Sequence, residues 1–196
     1  NPCLSNPCRV ERLCTPDLSW DTFNCDGESP FGCEHPLGME DETIKDSQIS
    51  ASSYALSSRS TLHAPKHGRL NKKKDAKGIG GWAAGSPGKG EHIQIDLGNV
   101  KVITKVATQG RQDYGVQYVT KYSLSYSTDG DNWSDYEGDC VKVRIFPGNA
   151  DQQSIVTNKL EVPIKARYIR LIVKGYSGWA TIRMELYGCS QLPGPA

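Results

Sequence analysis

Five of the seven cysteines stand in the first 33 residues, at positions 3, 8, 14, 25 and 33, and the other two lie far downstream at 140 and 189. That density is hard to reconcile with a reducing cytosol and points to a secreted, extracellular chain. Cysteines so close together serve either disulfides or a zinc site. Zinc sites use Cys-x-x-Cys pairs, and no such pair is present, so the spacing favours disulfides. Residues 1–32 are also rich in Pro and Asp and show no periodicity. Such a segment cannot bury a core and must lean on its bridges.

From residue 33 the texture changes to period-2 segments separated by Gly, Asn and Asp. Ser47-Gln48-Ile49-Ser50-Ala51 and His92-Ile93-Gln94-Ile95-Asp96-Leu97 alternate, and 100–108 reads as a longer strand. Tyr122-Ser123-Leu124-Ser125-Tyr126-Ser127 alternates and runs into the turn Asp129-Gly130-Asp131-Asn132. Further strands are expected over 141–145, 154–162, 168–173 and 181–186. There is no convincing amphipathic helix, and short strands between turn signals argue for an all-β sandwich or barrel. Trp82, Trp133 and most strand tyrosines are expected in its core. Arg167 and Arg170 are expected in ion pairs or surface contacts.

Two irregular stretches, 53–92 and 109–118, interrupt this pattern. Long loops inside a regular β scaffold usually serve function. Net charge is +1, so no global field drives binding to nucleic acid or membrane, and any charge-driven contact must come from a local cluster. No apolar run is long enough to span a bilayer, and the opening Asn1-Pro2-Cys3 reads as that of a trimmed secreted product. The sequon Asn132-Trp133-Ser134 is a candidate glycosylation site. Catalytic signatures are absent: no Gly-x-Ser-x-Gly elbow, no phosphate loop and no paired carboxylates. His63 and His67 are four apart but fall in a loop, where surface histidines are the plainer reading than a metal pair. The chain is therefore expected to be no enzyme, with no metal and no cofactor.

The motifs from Cys33 to Cys189 resemble, in order, those of the discoidin domain, the coagulation factor V/VIII type C family. Cys33-Glu34-His35-Pro36-Leu37-Gly38-Met39-Glu40 resembles its opening motif. Ile93-Gln94-Ile95-Asp96-Leu97-Gly98, Thr108-Gln109-Gly110, Phe146-Pro147-Gly148-Asn149, Ala166-Arg167-Tyr168-Ile169-Arg170 and Glu185-Leu186-Tyr187-Gly188-Cys189 follow. The resemblance implies an eight-stranded antiparallel jelly-roll barrel over 33–189, closed by a Cys33–Cys189 disulfide. The spacing of Cys3, Cys8, Cys14 and Cys25 resembles the first four cysteines of an EGF-like module, which implies Cys3–Cys14 and Cys8–Cys25 bridges. Gly27 stands where that module places its fifth cysteine. Residues 1–32 are thus either a truncated EGF-like unit or an unrelated linker stapled in the same way. Residues 190–196 are expected to be a disordered tail. Cys140 is left over, as a buried thiol or an intermolecular partner.

In this family, loops at one barrel end carry the ligand site. Mapped here, the first loop offers Tyr54, Leu56, Ser57, Arg59, Leu62 and His63, and the second offers Lys72, Lys73, Lys74, Lys77 and Ile79. The third offers Arg111, Tyr114 and Val116, and a fourth precedes the last strand with Tyr176 and Trp179. Two partners compete. A cell-surface or matrix glycan or protein would use the polar first loop with Arg59, His63, Tyr114 and Trp179, and this reading ranks first. The alternative is a phosphatidylserine-bearing or other anionic phospholipid surface. There Leu56, Leu62, Ile79, Tyr114 and Val116 would dip into the interface while the lysines meet headgroups. A solvated loop is the bland account of the lysine run.

Overall fold

The alternation over residues 92–97 sends Ile93, Ile95 and Leu97 inward and leaves His92, Gln94 and Asp96 half-buried, as a strand covered on one face requires. The computed structural model describes residues 33–56, 62–86, 88–113, 115–138 and 142–190. Nine strands are formed among the described residues: β1 (His35–Pro36), β2 (Ile49–Ala51), β3 (Trp82–Ala83), β4 (His92–Gln109), β5 (Tyr118–Ser127), β6 (Ser134–Asp135), β7 (Phe146–Pro147), β8 (Val156–Ser177) and β9 (Thr181–Cys189). Three-residue 3-10 turns at Asp46–Gln48 and Pro65–His67 are the only helical segments among the described residues. The strand order is β1-β9-β4-β8-β5-β6, with β2 on β4, β3 on β9 and β7 on β5. Every strand pair is antiparallel. This is the all-β jelly-roll barrel that the sequence motifs imply. No described helix is long and apolar enough to cross a membrane.

Nine strands stand against the expected eight because two-residue pairings count as strands, a gain partly offset where β4 and β8 each run through a bend as one strand. In β4 the register with β8 shifts between Asp96 and Lys101, where Gly98 takes the left-handed φ of 78° that turns the corner. The segments 92–97 and 100–108 are the two arms of that one strand. Likewise 154–162 and 168–173 fall largely within β8, whose register on β4 shifts around Pro163, a residue that cannot donate to a ladder. Residues 142–145 form no strand. The pairing expected nearby is made instead by Phe146 and Pro147, which pair with Tyr122 and Lys121.

The core gathers Trp82, Ile93, Ile95, Ile103, Tyr122, Leu124, Ile169, Leu171, Ile182, Met184 and Leu186, all fully buried. Phe146 stacks between Tyr122 and Tyr136 at centroid distances of 5.4 and 5.6 Å. Burial pushes the Tyr136 phenol up to about 12. The disulfide Cys33–Cys189 clasps the two ends of the barrel, with Cα atoms 4.9 Å apart across a sequence separation of 156. Closing so long a loop contributes about 5 kcal/mol on the chain-entropy model.

Trp133 corrects the expectation of a core residue. It is half-buried on the outer face of the barrel, where the Arg170 guanidinium lies 3.5 Å from its ring centroid. A large aromatic fits there because the cation covers its face. Arg167 makes the expected ion pair, bidentate to Asp96 at 2.7 and 2.8 Å. Residues 1–32 and 191–196, the four head cysteines and Cys140 lie outside the described residues.

Candidate functional site

Four connections converge at one end of the barrel, and backbone hydrogen bonds register each on the next. The first loop is held by Ala55 N–H to Ala83 O at 2.9 Å, and the second meets it through Ile79 N–H to Leu62 O at 3.0 Å. The third joins the second through Gln112 N–H to Gly80 O at 3.0 Å. The fourth is reached through Ala84 N–H to Ala180 O at 3.0 Å. Gly178 lets the third and fourth loops touch: its φ is 63°, and a Cβ there would lie 2.2 Å from the Val116 carbonyl oxygen. No other residue fits such an approach.

Beneath the loops lies Arg183 of β9, a guanidinium buried to 2 % exposure. It donates to Gly110 O at 2.7 Å, Lys72 O at 3.2 Å and Gln152 O at 2.9 Å, so one side chain binds the second loop, the third loop and the β7–β8 connection. Burial holds its pKa down to about 10. Gln109 repeats the pattern, accepting from Asn71 N–H and donating to Gln153 O, both at 2.9 Å. Gln112 accepts Lys74 N–H at 2.8 Å.

Two large apolar side chains stand out from this end, Leu56 at 80 % and Val116 at 62 % exposure, the two most exposed large hydrophobics described. Ile79 corrects the expectation of a third tip: at 5 % exposure it packs inward. Leu62 is half-buried. Tyr54 and Tyr176 pack against the core cluster. Trp179 is half-buried and donates its indole N–H to Ala84 O at 2.7 Å. His63 is half-buried, and its Nδ1 is buried without a hydrogen-bond partner. Desolvation, reinforced by the nearby Arg111 charge, holds its pKa below the ordinary histidine value. Ser57, Arg59 and Tyr114 lie outside the described residues.

The lysine run divides by partner. Lys72 pairs with Glu42 at 3.0 Å and Lys74 with Asp113 at 3.1 Å. Arg111 pairs with Asp113 and donates to Gln117 Oε1 at 2.8 Å. Lys73 and Lys77 are exposed and make no ion pair among the described residues. No group of three or more described His, Cys, Asp or Glu residues could hold a metal ion. Asn132 is exposed in the turn after β5, with its Nδ2 donating to Asp129 Oδ2 at 2.8 Å. β5 runs from Tyr118, opposite Ser177, to Ser127, opposite Tyr168, so this turn lies at the far pole from the converging loops.

Sequence reasoning missed Arg183, Gln109 and Gln152. Arg183 alternates with Ile182 and Met184 and so reads as solvent-facing, but the loops cover that face of β9 as well. Its signal was a charged residue in the last strand of a barrel, directly beneath its loop end.

A clasped barrel that braces four irregular connections at one pole is a scaffold for presenting loops. A family model described as the F5/8 type C domain matches residues 48–186, and the chain belongs to that family, the discoidin domains. Lactadherin of Sus scrofa is 36% identical over 189 residues, which cover 93% of this chain and 44% of that protein. EGF-like repeat and discoidin I-like domain-containing protein 3 of Homo sapiens is 36% identical over 164 residues, covering 82% of this chain and 34% of that protein. The chain thus spans less than half the length of these curated relatives. Among solved structures, discoidin II of Dictyostelium discoideum aligns with a TM-score of 0.63 and 30% identity, over 75% of this chain and 56% of that one.

Proposed function

We propose that the chain is a secreted, non-catalytic docking module whose loop end binds anionic phospholipid surfaces, with phosphatidylserine the lipid that the family resemblance implies. The observation that carries this is the pair of apolar tips, Leu56 and Val116, held out at one pole by a braced frame. Exposed leucine and valine gain free energy at a lipid interface, about 1.5–3 kcal/mol for a side chain that is fully buried. Lys73 and Lys77 add about 1 kcal/mol each near an anionic leaflet. The sum, about 5–8 kcal/mol, corresponds to dissociation constants of roughly 1 μM to 0.2 mM. One such module binds weakly and gains from being linked to others.

This reverses the order of the two partners favoured by sequence. The glycan reading draws on Arg59, His63, Tyr114 and Trp179: His63 and Trp179 are half-buried, with the Trp179 indole N–H given to Ala84 O, and Arg59 and Tyr114 lie outside the described residues. Secretion is supported by the Cys33–Cys189 disulfide, a bond that persists in oxidising compartments. A truncated EGF-like unit over residues 1–32 is supported by the spacing of Cys3, Cys8, Cys14 and Cys25, and the lactadherin match extends into this head. Covering 93% of the chain, it cannot fit within residues 33–196 and so reaches into the cysteine-rich head. A glycan on Asn132, at the far pole, would leave the docking end clear.

Co-sedimentation with phosphatidylcholine vesicles, with and without phosphatidylserine, tests the proposal. Binding only to the anionic vesicles is expected, weakened by L56A/V116A and by high salt, which screens exposed charges beyond about 8–10 Å. Vesicle binding that survives L56A/V116A overturns the membrane reading. So does indifference to vesicles alongside a positive glycan array, which would restore the glycan.

A further inference from the structure

Val116 sits on a loop that its own sequence would leave pliable, between Gly115 and Gln117. Arg111 closes the loop on Gln117, its N–H on the carbonyl at 2.9 Å and its Nη1 on Oε1 at 2.8 Å, and a second brace comes from outside the loop. Gln152, on the connection between β7 and β8, directs its side-chain amide into the third loop and donates to Asp113 O at 2.9 Å, to Arg111 O at 3.4 Å and to Gly115 O. Its main chain is fixed from below, because Gln152 O accepts from buried Arg183 at 2.9 Å.

The connection that carries Gln152 is itself rigid. Asn149 is buried and its Nδ2 donates to Thr108 O at 3.1 Å and Ser154 O at 2.8 Å. Its N–H reaches Val119 O at 2.8 Å. The Asp151 carboxylate accepts from Gln153 N–H at 2.7 Å, Ser154 N–H at 2.6 Å and the Ser154 hydroxyl at 2.7 Å. Side chains that satisfy neighbouring backbone groups in this way fix a turn. The connection therefore acts as a strut, with Gln152 as its contact on the third loop.

We infer that Gln152 is a positioning residue for docking: it touches no ligand and acts by holding Val116 in its presented position. This rests on the docking function proposed above. Because the carbonyls it meets can only accept, the role needs an amide donor. Ordering the tip before contact removes an entropy cost that binding would otherwise bear.

The test is Gln152→Glu, which keeps the shape and removes the donor. Hydrogen exchange on the intact protein is expected to rise about tenfold at Arg111, whose N–H closes the loop that carries Val116 on Gln117 O at 2.9 Å, while the strands keep their protection. Affinity for phosphatidylserine vesicles should fall several-fold. If Gln152 works through Val116, the double variant V116A/Q152E should bind no more weakly than V116A, the non-additivity of coupled sites. Unchanged exchange at Arg111 overturns the positioning role whatever the vesicles show. Losses from Q152E and V116A that simply add overturn its action through Val116. A wild-type protein that ignores the vesicles overturns the docking function instead, while exchange still decides whether Gln152 orders the loop.

Discussion

Replacing Arg183 with lysine keeps the buried charge and discards the fork. The guanidinium reaches carbonyls on three separate segments, at Gly110, Lys72 and Gln152. A lysine ammonium, one point on a flexible stem, cannot span all three. At least two of these charge-assisted bonds are lost, each worth about 1.5–3 kcal/mol. Two of the three contacts are only part-buried, so water recovers some of that loss and the net cost is about 3 kcal/mol. For a chain of this size each kcal/mol moves the thermal midpoint by about 2–4 °C, so R183K should melt about 6–12 °C lower. Calorimetry reads the midpoint, and hydrogen exchange should show residues near 72, 110 and 152 losing protection together. A midpoint within about 2 °C of wild type, with those segments still protected, would refute the keystone role.

Other perturbations follow from the same frame. C33A/C189A removes about 5 kcal/mol of loop constraint and should lower the midpoint by more than about 10 °C; a smaller fall means the strand pairing at His35–Gly188 closes the barrel without the clasp. Glu185 is fully buried and accepts N–H bonds from Met39, Glu40 and Leu186 at 2.8–3.1 Å. Glu185→Gln turns an NH2 toward at least one of those donors and should cost about 1–3 kcal/mol in denaturant unfolding; an unchanged value contradicts the pairing. His63 and His92 are held below the ordinary histidine pKa by burial, with Arg111 and Arg170 adding to it. As pH falls through about 6.5, the unfolded chain binds protons that the folded chain does not. Stability should therefore be flat near neutrality and decline below about pH 6.5, and a thermal midpoint that rises on acidification contradicts this sign.

The sequence carried the barrel because alternation over 92–97 and 122–127 reports burial on one face directly. It could not carry the bends, because a strand that turns a corner at Gly98 reads as two. The loop end was legible as irregular sequence among strands. Which side chains it presents was not, since Ile79 and Val116 look alike until packing buries one at 5 % and leaves the other at 62 %. The lysine run shows the same limit: Glu42 and Asp113, which take up Lys72 and Lys74, are 30 and 39 residues away in the chain. Cross-loop braces such as Arg183 and Gln152 depend on contacts between distant segments, and no local pattern records those.

The direct test of the docking account places a tryptophan at each pole and asks which one enters lipid. L56W puts the reporter on the first loop, and D131W puts it on the exposed turn at the opposite end. With vesicles of phosphatidylserine and acyl-brominated phosphatidylcholine, the added emission of L56W should be quenched and that of D131W should not. Quenching of D131W, or of neither reporter on vesicles that the protein binds, would contradict the account.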